Sequence, residues 1–362
     1  MTASGRMPLI DVIKGLACLA IVGHHFALYG PMPAGAAVLA PALFQWFVDE
    51  GRLAVQVFLV VGGFLAAASL APDGALRGDR RGVRIAQRYM RLVMPYFVAL
   101  IFSVLVAAMV RPWLDDDLVP VAPTLMQLVA HGLLLQDLLG QEALSAGVWY
   151  VAVDFQLFTL ALAVLALADG ARWFGVALVL AGTVASLAVF NREALLDNTA
   201  LYFFGSYGLG MLTFWIGRAR RASTWWLSLV LLTAVGAAML ALEWRSRIAI
   251  ALVTALALAV LQRSDALERV PAFGGATLVR LGHVSYALFL LHFPVLLAVS
   301  AIDARWGPIS PWIDAAGLVL AFAVSIGAAV LVHRVVESRH PDWRAALALF
   351  AALLLCGSLM AR

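Results

Sequence analysis

PLIDVIKGLACLAIVGHHFALYG, residues 8–30, combines the length of a membrane-crossing helix with ionisable groups at both ends: Asp11 and Lys14 early, His24 and His25 late. About twenty consecutive apolar residues suffice to cross the hydrocarbon core of a bilayer. The polar interruptions argue against a cleaved signal peptide, whose apolar stretch is short and uncharged. Similar runs recur along the whole chain. Of its 362 residues 64% are hydrophobic and only 13% charged, and the mean hydropathy is +0.95. No ordinary soluble domain has this composition. The alternation of a transmembrane barrel is absent. The fold class is therefore all-α, a polytopic transmembrane helical bundle forming a single domain over residues 1–362.

Candidate spans are 8–30, 52–71, 92–110, 148–168, 172–190, 199–217, 224–242, 248–262, 279–302 and 312–333, with a further candidate at 344–360. Residues 123–139 are apolar but shorter, and Gln127, His131, Gln136 and Asp137 interrupt them; they read as interfacial or re-entrant. The excess of Lys and Arg in cytoplasmic loops orients the stack. Arg77, Arg80, Arg81, Arg84, Arg88 and Arg91 follow the second span, Arg218, Arg220 and Arg221 the sixth, and Arg334 and Arg339 the tenth. All fall on one side if 123–139 does not cross. The N-terminus is then cytoplasmic, Asp115, Asp116 and Asp117 lie outside, and the expected location is the cell's inner (plasma) membrane. The net charge of +4 needs no nucleic-acid partner. Cys18 and Cys356 both lie in apolar runs and form no disulfide framework.

Ionisable groups inside spans are costly and mark functional sites. Lys14 and His25 are eleven residues apart, just over three turns, so they share a helix face with a rise of roughly 16 Å between them. Asp11 lies within about 40° of that line, and His24 about 100° away. Lys14 reads either as a cation snorkelling to the interface or as an anion-binding group. His25 suits proton transfer near neutral pH, or else an interhelical hydrogen bond. Adjacent histidines diverge on a helix, and no thiolate or carboxylate cluster accompanies them, so no metal site is expected. Arg88 and Arg91 are i,i+3 neighbours suited to phosphate, or to lipid headgroups. In WYVAVDFQLF, residues 149–158, Asp154 and Gln156 sit within an apolar span, where a carboxylate must be protonated, paired or hydrated. In LGHVSYALFLLHFP, residues 281–294, Ser285 and His292 are seven apart and share a face.

Taken together these segments resemble the integral-membrane acyltransferase family 3. Asp11, Lys14, Gly15 and His25 fit the family's first span, and FLVVGGFL at 58–65 fits its second. Arg88, Arg91, Pro95 and Tyr96 fit its cytoplasmic R-x-x-R element. Trp149, Asp154, Gln156 and Phe158 fit a later tryptophan-acid-glutamine element. LGHVSYALFLLHFP fits the late histidine element, and Arg334 with Glu337 the closing one. Gly62 stands where the family often has Ser, Gln56 where an acid is frequent, Asp154 for Glu and Phe158 for Tyr.

The resemblance implies an O-acyltransferase with acyl-CoA, usually acetyl-CoA, as the cytoplasmic donor substrate. Lys14, Arg88 and Arg91 would hold the CoA phosphates. His25 would be general base or transient acyl carrier, with Asp154 or Asp11 orienting or charge-balancing the imidazole. Ser285, His292 and Trp149 would bind the acceptor, a carbohydrate or other hydroxyl-bearing molecule of the cell envelope. A transporter or flippase, and a non-catalytic assembly factor of an envelope polysaccharide system, are the alternatives.

Overall fold

The computed structural model describes residues 7–114, 119–270, 274–307 and 310–360. The helices are α1 (Pro8–Leu28), α2 (Met32–Ala36), α3 (Pro41–Glu50), α4 (Ala54–Leu70), α5 (Arg81–Val110), α6 (Leu125–Gly132), α7 (Trp149–Leu167), α8 (Arg172–Ala188), α9 (Ala200–Gly217), α10 (Ala222–Leu242), α11 (Ser246–Arg263), α12 (Gly275–Trp306), α13 (Pro311–Val332) and α14 (Trp343–Met360). No strand occurs among the described residues. Ten of the helices are long and apolar enough to cross a membrane, with α3 and α4 counted as one 30-residue helix, Pro41–Leu70. They include α14, so the candidate at 344–360 has the necessary length and apolarity. The 8-residue α6 rises only about 12 Å, too little to span. Asp115, Asp116 and Asp117 lie outside the described residues.

α9 is absent from the ten, because glycines, Ser206 and two tyrosines dilute its apolarity. It has no need of a greasy outer face. It is buried from Tyr202 to Phe214 and packs against α4, α8 and α11. It runs parallel to α4: Ser206 Oγ donates to Gln56 Oε1 at 2.6 Å near one end, and Trp215 Nε1 donates to the Ala71 carbonyl at 2.7 Å near the other. Two crossing helices that run parallel must have an odd number of crossings between them. With α5, α7 and α8 between them, that holds if α9 crosses and α6 does not.

The chain resolves into two compact units, each interleaved in sequence: Met1–Ala17, Leu53–Ile85 and Val153–Gly282 form the first, and Cys18–Arg52, Ala86–Ala152 and His283–Arg362 the second. In the first unit α4 and α9 meet backbone to backbone. A Cβ at Gly63 would sit 1.8 Å from the Tyr207 carbonyl oxygen, and one at Gly210 1.9 Å from that of Val60. Small residues permit such close approach, the usual source of helix association in lipid. The Ala71 end of α4 adjoins α9 through Trp215, and Arg263 donates to the Ala219 carbonyl at 2.7 Å. Arg77, Arg80 and Arg81 therefore share one end of this unit with Arg218, Arg220 and Arg221, as the charge pattern requires.

In the second unit Val106, Ala107 and Val110 of α5 pack against Phe293, Leu297 and Ala301 of α12. α6 is closed at its start by a capping box between Thr124 and Gln127. His131, on its last turn, donates from Nδ1 to the Gln127 carbonyl at 2.8 Å and accepts the Leu144 N–H at Nε2, 3.2 Å. Both ring nitrogens are thus engaged by backbone in the neutral form. Burial pushes the His131 pKa down from 6.5 to about 4, against the smaller opposing effect of the Gln127 carbonyl. Above the unfolded value both states are neutral, so stability is intact. As pH falls from 6.5 toward 4 the unfolded chain takes a proton that the folded one refuses, a loss of about 3 kcal/mol. Thermal unfolding in detergent should therefore show a midpoint that declines over this window. His131→Gln should flatten that decline, and an unchanged slope would separate it from this imidazole.

Candidate functional site

α1 and α12 form a parallel pair in constant register. Cys18 Sγ donates to the Ser285 carbonyl at 3.3 Å, and His25 Nδ1 lies 2.6 Å from His292 Nε2; each pair is 267 residues apart. The same offset relates Gly15 to Gly282, where a Cβ on Gly15 would meet the Gly282 nitrogen at 3.1 Å. Gly15, Cys18, Val22 and His25 recur at steps of three, four and three, as do Gly282, Ser285, Phe289 and His292. That is the seam of a heptad, in which alternate three- and four-residue steps keep one stripe facing the partner helix. All eight positions are buried. The two histidines therefore meet because their helices share a register and a seam.

His25 is 8% exposed and His292 fully buried. Their ring planes lie within 13° of each other, with centroids 4.8 Å apart. Set against an N···N separation of 2.6 Å, that centroid distance describes two rings edge to edge in a common plane, the geometry of an in-line hydrogen bond. His292 Nδ1 lies 3.3 Å from the Leu288 carbonyl. No hydrogen bond reaches His25 Nε2 among the described residues. Tyr29, just past the end of α1, has its ring 5.3 Å from that of His25, and Phe293 meets Tyr29 edge-on at 5.4 Å.

The backbone entering α7 closes on the same ring. Gly147 has φ +80°, and a Cβ there would lie 2.8 Å from Phe289 Cζ and 3.5 Å from His25 Cε1. A left-handed backbone pressed against two rings has room only for glycine. Trp149 meets Tyr150 edge-on at 6.1 Å, and Tyr150 meets Phe289 at 5.7 Å, so an aromatic series leads from the start of α7 to the histidine pair. His24 is turned away, its Nδ1 donating to the Phe47 carbonyl at 2.9 Å. The two rings remain neighbours, with centroids 5.4 Å apart and planes tilted by 46°, but their Nδ1 atoms are committed to different partners.

Of the other site residues, Ser285 offers its backbone carbonyl to Cys18 within the seam. Arg88 is half-buried and Arg91 exposed on α5, where Tyr286 of α12 donates to the Leu92 carbonyl at 2.9 Å. In the first unit Lys14 Nζ pairs with Asp11 Oδ1 at 2.8 Å. Asp154 is buried, and a Cβ on Gly62 would lie 3.9 Å from its Oδ1 and 3.3 Å from the Tyr207 ring. Two departures from the family pattern, Gly for Ser at 62 and Asp for Glu at 154, thus fall side by side. Gln56, a third departure, accepts from Ser206.

Sequence reasoning singled out His25 and His292 without joining them, and passed over Tyr29, Gly147 and Phe289. The matching three-four-three spacing was the available signal for the pairing.

A bundle of membrane-crossing helices, with an imidazole pair held in its α1–α12 seam, defines an integral-membrane protein. The family profile described as an acyltransferase domain matches residues 8–334. The chain belongs to that family, acyltransferase family 3, and is a membrane acyltransferase. No curated protein and no solved structure matches the chain.

Proposed function

We propose that the protein is an O-acyltransferase that moves an acyl group, acetyl in the first instance, from cytoplasmic acyl-CoA to a hydroxyl of a carbohydrate acceptor on the outer side of the inner membrane. The observation that carries this reading is His25: in a chain of an acyltransferase family, one of its ring nitrogens is held by His292 and no described residue bonds the other.

Lys14, Arg88 and Arg91 bind the CoA phosphates, with guanidinium groups suited to bidentate contact. α1 runs unbroken from Lys14 to His25, a rise of roughly 16 Å that the pantetheine arm follows. His25 Nε2 takes the proton of the acceptor hydroxyl as its oxygen attacks the thioester carbonyl. A new C–O bond forms, the C–S bond breaks, and the imidazolium returns the proton to the departing CoA sulfur. In the covalent variant the acyl group passes first to Nε2 and then to the acceptor. Asp11 holds Lys14 in place, Asp154 is the buried carboxylate that balances charge, and Ser285 and Trp149 contact the acceptor side.

Purified protein given acetyl-CoA labelled in its acetyl group, with polysaccharide extracted from the host envelope, should move label into alkali-labile ester. Label that stays on CoA, with every envelope fraction tried, would defeat the reading. The donor site has its own test. Arg88→Ala and Arg91→Ala should each weaken CoA binding measured by calorimetry about tenfold at low salt and less at high salt, because screening already reduces charge contacts there. Unchanged affinity would remove these residues from the donor site.

A further inference from the structure

From the hydrogen-bond chain through the α1–α12 seam we infer that His292 is a positioning residue that fixes the tautomer of His25, with Nδ1 protonated and Nε2 left as the base. The inference rests on the reading of His25 as the general base, and it names the residue that prepares that base.

The chain begins at the Leu288 carbonyl, which can only accept. His292 Nδ1, 3.3 Å away, must therefore carry a hydrogen. In a neutral imidazole the other nitrogen is then a lone-pair acceptor. That nitrogen, Nε2, lies 2.6 Å from His25 Nδ1, so His25 donates from Nδ1. Its own Nε2 is then unprotonated, and it is the nitrogen that no described residue bonds. The direction of every hydrogen bond follows from one backbone carbonyl that has no alternative role.

When His25 Nε2 takes a proton from the acceptor, the new positive charge faces a neutral acceptor on the far side of the ring. The Nδ1–H bond to His292 strengthens at that moment, since charge-assisted hydrogen bonds are about twice as strong as neutral ones. His292 thus performs with a neutral ring the orienting task that a carboxylate performs in hydrolase triads, where the wrong tautomer costs about 10⁴-fold. The other polar rings near His25 are His24, with Nδ1 committed to the Phe47 carbonyl, and Tyr29. Neither is shown bonded to His25 Nδ1, so His292 alone holds that nitrogen among the described residues.

The first test is spectroscopic and independent of catalysis. Protein labelled with ¹⁵N-histidine, in lipid at pH 8, should give for His25, assigned by its loss in His25→Asn, a protonated Nδ1 and an unprotonated Nε2. The opposite tautomer would overturn the inference while leaving acyl transfer itself untouched. The second test is kinetic. His292→Gln places a carbonyl oxygen near the position of Nε2 and should hold turnover within about tenfold of wild type. His292→Phe keeps the bulk without an acceptor and should lower kcat by about 10²–10⁴-fold with KM for acetyl-CoA unchanged. Equal activity in the two variants, or a loss confined to KM, would count against a positioning role. Should His292→Phe fail to fold, the tautomer in the wild-type protein still decides.

Discussion

His25→Asn should reduce acyl transfer at least about 100-fold, the lower range for loss of a general base, while the protein folds nearly as well as wild type. The asparagine amide places an N–H close to where the imidazole carries Nδ1–H, so His292 Nε2 keeps its donor. His25→Ala should be equally inactive but less stable. It strands the His292 acceptor in a fully buried position, and an unmet buried hydrogen-bonding group costs about 1–3 kcal/mol. The pair of variants therefore separates chemistry from architecture: matched loss of activity, unmatched loss of stability. Thermal midpoints in detergent and label transfer from acetyl-CoA provide the two readouts. Wild-type-like turnover in His25→Asn would remove the imidazole from the reaction.

How much of this was open to a reader of the sequence depends on the range of the interaction. Spans were legible because the bilayer sets a length that each apolar run meets by itself. The short 123–139 segment was legible for the same reason, and the parallel pairing of α4 with α9 agrees that it does not cross. Hydropathy alone does poorly with α9, whose tyrosines and glycines are tolerated because other helices, rather than lipid, surround it. Within the site, Asp11 and Lys14 are i,i+3 neighbours whose contact is local. The His25–His292 contact joins residues 267 apart, and no local rule supplies it. The Asp11–Lys14 pair is the local contact that helical spacing offers, and the second histidine at His25 Nδ1 is the distant one that it does not. Gly147 was invisible for a related reason: only its positive φ and its proximity to Phe289 and His25 explain it.

Gly282→Ala should be the most damaging single methyl in the protein's α1–α12 seam. A Cβ there would stand 1.9 Å from the Asp11 carbonyl oxygen and 2.5 Å from its carbon. Both are backbone atoms of a helix, which cannot step aside as a flexible side chain can. Relief requires the two helices to part by about 1 Å or more, at the 1–3 kcal/mol typical of overpacking. α1 and α12 are each unbroken from this crossing to the histidine pair, fourteen residues beyond Asp11 on α1 and ten beyond Gly282 on α12. Separation on that scale would stretch a 2.6 Å contact beyond hydrogen-bonding range, and misplacement by 1 Å can cost about 100-fold in rate. Gly282→Ala should therefore lower the thermal midpoint and acyl transfer together, although it adds no group to the reacting centre. Gly327→Ala on α13, where nothing lies within 4 Å of the added Cβ, should change neither. Wild-type activity in Gly282→Ala would show that the seam tolerates separation, and that the register of α1 against α12 does not hold the imidazoles together.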